Sequence, residues 1–277
     1  MAIYGYKKWH SNLLGVFSII GVLAHVMFYC ENYALAQITP DATLGDRSSK
    51  ITPNVNIKGL PANQIDGGTI RGANLFHSFQ EFNVGELQRV YFANPTGISN
   101  ILTRVTGSNI SNILGTLGVN GGANLFFLNP NGILFGNNAR LDVQGSFVGT
   151  TANGLQFGNQ ELFSAINPQA PSLLTVNVPI GLQYGRNPGA IQLQEASLQV
   201  PNGRTLTLAG GIVNIDGREL LAPGGRVELA GVASSGGVGL MQQGQELRLS
   251  VPEGLARADV SMTNGANVDV RAGGGGS

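Results

Sequence analysis

Short apolar-polar-apolar triplets recur through the second half of the chain: Leu206-Thr207-Leu208, Val227-Glu228-Leu229, Leu247-Arg248-Leu249 and Val268-Asp269-Val270. Their starts lie 21, 20 and 21 residues apart. Turn signals separate them: Gly210-Gly211, Gly224-Gly225, Gly236-Gly237, Pro252-Glu253-Gly254 and Asn264-Gly265. Alternation of this kind marks half-buried strands, and one short strand per fixed period marks a solenoid. The units are too short for helix pairs. Strands every 8–12 residues would also suit a β-sandwich, but constant spacing favours stacked coils. The pattern therefore predicts an all-β chain folded as a parallel β-helix. In-phase stacking would put Thr207, Glu228, Arg248 and Asp269 in one outward column, with Glu228, Arg248 and Asp269 alternating in charge about 4.8 Å apart.

Upstream, Arg140–Val143, Leu174–Val176 and Ile191–Leu193 read as the same strand type, less evenly spaced. Phe76, Phe79, Phe82, Tyr91, Phe92, Phe126, Phe127 and Phe135 crowd residues 37–135. An irregular, aromatic-rich start predicts an N-terminal capping region, because a first coil would otherwise expose an open strand edge.

The first 36 residues follow neither pattern. Lys7 and Lys8 precede an uncharged apolar run, Leu13 to Phe28, and Ala34-Leu35-Ala36 offers a small-x-small end before Gln37. That order describes a secretory signal peptide cleaved between Ala36 and Gln37. The run is shorter than the ~20 apolar residues of a membrane-spanning helix. Bulky Phe28-Tyr29 before Cys30 argues against a lipid anchor there. Cleavage removes the single Cys, so no disulfide can form within the exported chain. With 12% charged residues and a net charge of zero, the chain suits neither a basic nucleic-acid binder nor a highly charged disordered segment.

Asn129-Pro130-Asn131-Gly132-Ile133 lies between two apolar strands, Ala123–Leu128 and Ile133–Phe135. Pro130 fixes φ at the first turn position, and Asn131-Gly132 tolerate positive φ. Taken alone, this is a tight turn. It sits, however, in an ordered series: Phe82–Gly85, Asn100–Gly107, Gly115–Val119, Ala123–Phe126, then Asn129–Ile133, Phe135–Val143 and Gly145–Phe147. That series resembles the secretion domain of two-partner secretion exoproteins of the filamentous haemagglutinin type (the haemagglutination activity domain), in the form common in cyanobacteria. The likeness is close over residues 37 to about 165 and looser beyond.

The resemblance implies a right-handed parallel β-helix with an irregular N-terminal cap. It implies export by the general secretion machinery, then recognition in the periplasm by a dedicated outer-membrane β-barrel transporter with periplasmic domains. The chain would fold coil by coil at the cell surface. On this basis residues 1–36 are the leader and 37–165 the secretion-domain core with its cap. Residues 166–277 add further coils of the same domain. The Asn-Pro-Asn-Gly-Ile motif carries over to Asn129–Ile133 as a partner-recognition turn. A second family motif, Asn-Pro-Asn-Leu, finds its nearest match in Asn94-Pro95-Thr96-Gly97-Ile98, where Thr96 and Gly97 depart from it. Family members run on for further coils, so a chain ending in Gly273–Ser277 reads as a truncated product or as a short exoprotein with a frayed tail.

Enzymatic β-helices cluster carboxylates for acid–base work or Ca²⁺ binding. From Gln37 onward the seven Asp and eight Glu are scattered, the close pairs being Glu81 with Glu86 and Asp41 with Asp46. His77, between Phe76 and Ser78, has no metal-ligand or nucleophile spacing around it and is expected to be partly buried or at the surface. No Gly-Lys-Ser or Gly-Lys-Thr phosphate loop occurs. The sequence thus predicts no enzyme, no cofactor, no metal and no nucleic acid. The alternative function is a surface adhesin or carbohydrate-binding β-helix, meeting cell-surface glycans or other cells through a face the sequence does not identify.

Overall fold

The computed structural model describes residues 37–45, 47–173 and 177–272, together with Met1. The chain divides into two compact units, Met1–Leu35 and Ala36–Ser277. The leader through Ala36 and the Leu174–Val176 strand lie outside the described residues, as does Asp46 of the Asp41 pair.

The second unit is a β-solenoid of about seven turns. Face 1 stacks six strands in parallel: Asn74–Phe82, Asn100–Val105, Asn124–Leu128, Phe147–Thr150, Thr205–Gly210 and Arg226–Gly231. Face 2 stacks Ser111–Ile113, Ile133–Phe135, Ile191–Gln194, Val213–Asp216 and Val260–Thr263. Face 3 runs through Leu60–Gly67, Arg89–Ala93, Thr116–Asn120 and Arg140–Asp142, and continues in Ser197–Gln199, Glu219–Leu221 and Asn267–Asp269.

Period-2 alternation fixes what face 1 buries. Leu75, Ile101, Leu125, Phe147, Leu206 and Val227 are register partners in succession and form one inward column of the solenoid core. The residues one step on, Phe76, Leu102, Phe126 and Val148, point the other way and are also wholly buried. A sheet buried on both sides reads as a continuous apolar run, which is what Asn124-Leu-Phe-Phe-Leu128 shows.

The cover on that outer side is an antiparallel sheet in the order Leu162–Ser164, Gly154–Gln156, Gly181–Tyr184, Gly236–Gln243, Glu246–Ser250. It is built by two excursions from the coils, one after Phe147–Thr150 and one after Arg226–Gly231. This sheet corrects the four-triplet column. Leu206-Thr207-Leu208 and Val227-Glu228-Leu229 do stack in register. Leu247-Arg248-Leu249 instead belongs to the antiparallel cover, where Leu247 packs toward face 1. Asn267–Asp269 stacks on Glu219–Leu221 in face 3. The 20-residue spacing is therefore not one coil throughout, because the second excursion is inserted within it. Thr207 is buried rather than exposed, because the cover lies over it. The charges meet differently as well: Arg226 lies 3.5 Å from both Glu228 and Glu246, Arg248 lies 3.5 Å from Glu246, and Asp269 pairs with Arg271.

The N-terminal edge is sealed. Ile38–Pro40 and Thr69–Arg71 pair antiparallel with Asn74–Phe82. Ser49–Ile57 pairs antiparallel with Leu60–Gly67 and forms the outer strand of face 3. It carries Pro53, and its register shifts between Thr52 and Val55. Proline and a register shift both blunt an edge against further pairing. The cap is thus residues 38–71. The aromatic residues Phe79, Phe82, Phe92, Phe127 and Phe135 belong to the solenoid core itself.

Candidate functional site

Asn129–Ile133 forms the corner from face 1 to face 2 in the third coil. Asn129 is wholly buried, while Asn131 is exposed. The Asn129 Oδ1 accepts from the Asn131 backbone N at 3.0 Å and from Asn131 Nδ2 at 3.1 Å. The Gly132 N donates to Asn129 O at 3.2 Å. Asn129 Nδ2 reaches back to the preceding coil, donating to Asn109 O at 3.0 Å and Ser111 Oγ at 2.9 Å. Asn131 Nδ2 does the same with Gly107 O at 2.8 Å. From the following coil, Gly189 N donates to Pro130 O at 3.0 Å, and Ile133 N donates to Ala190 O at 3.0 Å. The motif thus ties three coils together.

Positive φ falls on Gly132 alone (φ +138), with Asn131 on the ordinary side. A Cβ at Gly132 would lie 3.1 Å from Ala190 O and 3.1 Å from Ile110 Cγ2. Gly is required there both for the dihedral and for close approach.

Asn94–Ile98 forms a different corner, from face 3 to face 1 between the first and second coils. Asn94 Oδ1 accepts from Ala123 N at 2.9 Å, and its Nδ2 donates to Ile98 O at 3.0 Å. Pro95, Thr96 and Gly97 are exposed. The two motifs are not brought together: a five-residue face 1 strand, about 17 Å long, separates the two corners. An open groove of about 520 Å³ runs along the second corner, lined among others by Asn94, Thr96, Asn124, Arg204, Gln242 and Gln245. Its lining contains no Asp, Glu or His. Gln37, at the expected cleavage point, is exposed, and its carbonyl accepts from Asn83 N at 3.0 Å.

Three features escaped the sequence reading. The first is a ladder of side-chain amides, Asn124 to Asn100 and Asn100 to Asn74, each 3.0 Å. Its signal was present: Asn74-Leu-Phe, Asn100-Ile-Leu and Asn124-Leu-Phe open successive face 1 strands.

The second is Arg104, wholly buried in face 1. Its guanidinium donates to Ser78 Oγ (2.9 Å), Ser164 O (2.9 Å), Thr43 Oγ1 (2.7 Å) and Gln169 O (2.9 Å), and lies 4.2 Å from the Phe163 ring centroid. Burial lowers it to about 10, with the Asp41 charge working the other way, so it stays protonated at neutral pH. Burial pushes the Asp41 carboxyl up, but hydrogen bonds from Thr43, Thr106 and Ser78 outweigh that and hold it below its ordinary value. The network joins the cap, two coils and the first excursion. A charged residue in a strand that also carries Ile101, Leu102 and Val105 is the available signal.

The third is His77, which is wholly buried rather than partly so. Its Nδ1 lies 2.9 Å from Ser49 Oγ, its Nε2 has no partner, and burial lowers it to about 3. Its inward phase follows from Leu75 and Phe79 on either side.

A family model described as TPS secretion domain matches residues 36–277. The heme/hemopexin-binding protein of Haemophilus influenzae is 36% identical over 143 residues, covering 48% of this chain and 14% of that protein. The secretion domain of HMW1 from Haemophilus influenzae, a crystal structure, is similar at 18% identity and a TM-score of 0.48, over 84% of this chain and 55% of that one.

Proposed function

The chain belongs to the TPS secretion domain family, that of two-partner secretion, and we propose that it is the part of an exoprotein that a dedicated outer-membrane β-barrel transporter recognises. In this reading residues 1–36 direct export by the general secretion machinery and are removed between Ala36 and Gln37. Residues 37–165 form the core of the secretion domain and 166–277 its further coils. The chain crosses the periplasm unfolded, meets the transporter's periplasmic domains through Asn129–Ile133, and stacks into coils at the cell surface. A solenoid suits this route, because each coil needs only its neighbours to fold.

The observation that carries the reading is the family match over residues 36–277, within which the Asn-Pro-Asn-Gly-Ile corner is intact. The family is one of secretion domains rather than of enzymes, and the buried polar groups have structural partners. Asp41 and Arg104 are spent on docking the cap. Among the described residues no group of three or more His, Cys, Asp or Glu could hold a metal ion. A reading as an adhesin or carbohydrate-binding β-helix is not favoured by the family match.

The test is secretion from a host that carries the dedicated outer-membrane transporter, compared with one from which it is deleted. The proposal expects protein in the medium or on the cell surface only with the transporter, beginning at Gln37 on N-terminal sequencing. Equal release without it would refute the proposal.

A further inference from the structure

The hydrogen bonds of the Asn129 corner divide into two sets. Asn131 N to Asn129 Oδ1 and Gly132 N to Asn129 O span two and three residues. Any chain containing Asn129–Gly132 can form them, folded or not. Asn129 Nδ2 to Asn109 O and Ser111 Oγ spans 20 and 18 residues. Closure by Gly189 N on Pro130 O and by Ile133 N on Ala190 O needs chain some 60 residues further on. These contacts exist only once the second, third and fourth coils have stacked. In the stacked state Asn129 has no exposed surface.

Building on the reading under Proposed function, we infer that the Asn129 side-chain amide serves two partners in succession. In the unfolded chain the local bonds hold the turn while Nδ2 stays free. It then donates to oxygen acceptors on the transporter's periplasmic domain. On stacking, Asn109 O and Ser111 Oγ replace those acceptors, and the fourth coil covers the residue. The two states exclude each other, because one amide cannot be enclosed by coils and reach a second protein at once. Folding therefore withdraws the recognition group and releases the chain from its transporter, with no separate release step. Asn131 is exposed and is not subject to this exclusion. Its amide is engaged with Gly107 O and Asn129 Oδ1 but stays at the surface.

The experiment measures binding to the transporter's purified periplasmic domains. Three forms of the exported chain are compared: the folded protein, a Phe127→Lys variant that cannot build the core, and that variant carrying Asn129→Ala. Phe127 is wholly buried inside the solenoid two residues before Asn129, so a charge there prevents the second, third and fourth coils from stacking around that corner. In that background loss of Asn129 has no folding consequence to confuse the result. The unfolded variant is expected to bind at least about tenfold more tightly than the folded chain. Asn129→Ala is expected to reverse this by about tenfold, the scale of two neutral hydrogen bonds. Equal binding by folded and unfolded chains overturns the inference, as does an Asn129→Ala variant that binds like its parent. If secretion still depends on the transporter, either result leaves the family reading standing. Transporter-independent secretion removes both.

Discussion

Replacing His77 tests the interior of the solenoid at a single titrating group. From Gln37 onward His77 is the sole histidine. Its ring lies 5.2 Å from Phe92 and 6.2 Å from Phe79, and burial depresses its pKa to about 3, against about 6.5 for an exposed imidazole. The folded state thus holds the neutral ring while the unfolded state takes up a proton below pH 6.5. The stability contribution is full above pH 6.5. It declines as pH falls toward 3 by about 1.4 kcal/mol per unit. At pH 4.5 the loss is roughly 2.7 kcal/mol relative to neutral pH. The depressed carboxylates Asp41 and Asp142 act lower, near and below their ordinary range.

His77→Leu forfeits the Ser49 hydrogen bond, worth about 1 kcal/mol, and removes the unpartnered Nε2, a defect of about 1–3 kcal/mol. The variant should match or exceed wild type at pH 7. Urea unfolding at pH 7.0 and pH 4.5 is the assay. The wild type should lose its roughly 2.7 kcal/mol and the variant less than about 1. An equal loss in both proteins would show that the ring is not buried in neutral form.

Arg104→Met should cost about 3–5 kcal/mol in the same melts, because Ser164 O, Gln169 O and Thr43 lose a shared donor. Arg104→Lys should not restore it, since one ammonium cannot span the fork. Gly132→Ala should destabilise by about 1 kcal/mol or more, from positive φ and the 3.1 Å contacts at the added Cβ. Leu208→Ala should cost about 2–5 kcal/mol. Leu229→Ala should cost less, because Leu229 is half-buried on the last described strand of face 1.

The coil architecture is legible in the sequence wherever a strand turns every second side chain into the solenoid interior. Leu206 and Val227 stack as their spacing predicts, and Asn129–Ile133 turns where Pro130 and Gly132 say it should. Legibility fails where the chain leaves the coils. Leu247-Arg248-Leu249 alternates like a coil strand because any half-buried strand does. Periodicity alone does not say which sheet the strand joins. Thr207 looks like a surface residue, and only the antiparallel cover, contributed by distant segments, buries it. The long-range partners of Asn129 and Arg104 depend on which coils become neighbours. Those contacts lie 18–65 residues away, beyond the reach of local pattern.

The most direct measurement of transport in the unfolded state is secretion of a chain locked into its coils before it reaches the transporter. Leu134 and Gln192 are register partners on face 2, 58 residues apart in sequence, and neither is in the core. Neighbouring strands lie about 4.8 Å apart, within the Cα range of a disulfide. A Leu134→Cys, Gln192→Cys variant oxidised in the periplasm pins the third coil to the fourth around the first excursion. Unfolded passage predicts that this variant accumulates in the periplasm, while each single-Cys control, and the double variant under reductant, reaches the cell surface at the wild-type rate. Recovery of the double variant outside the cell at the same rate, with its disulfide intact, would contradict it.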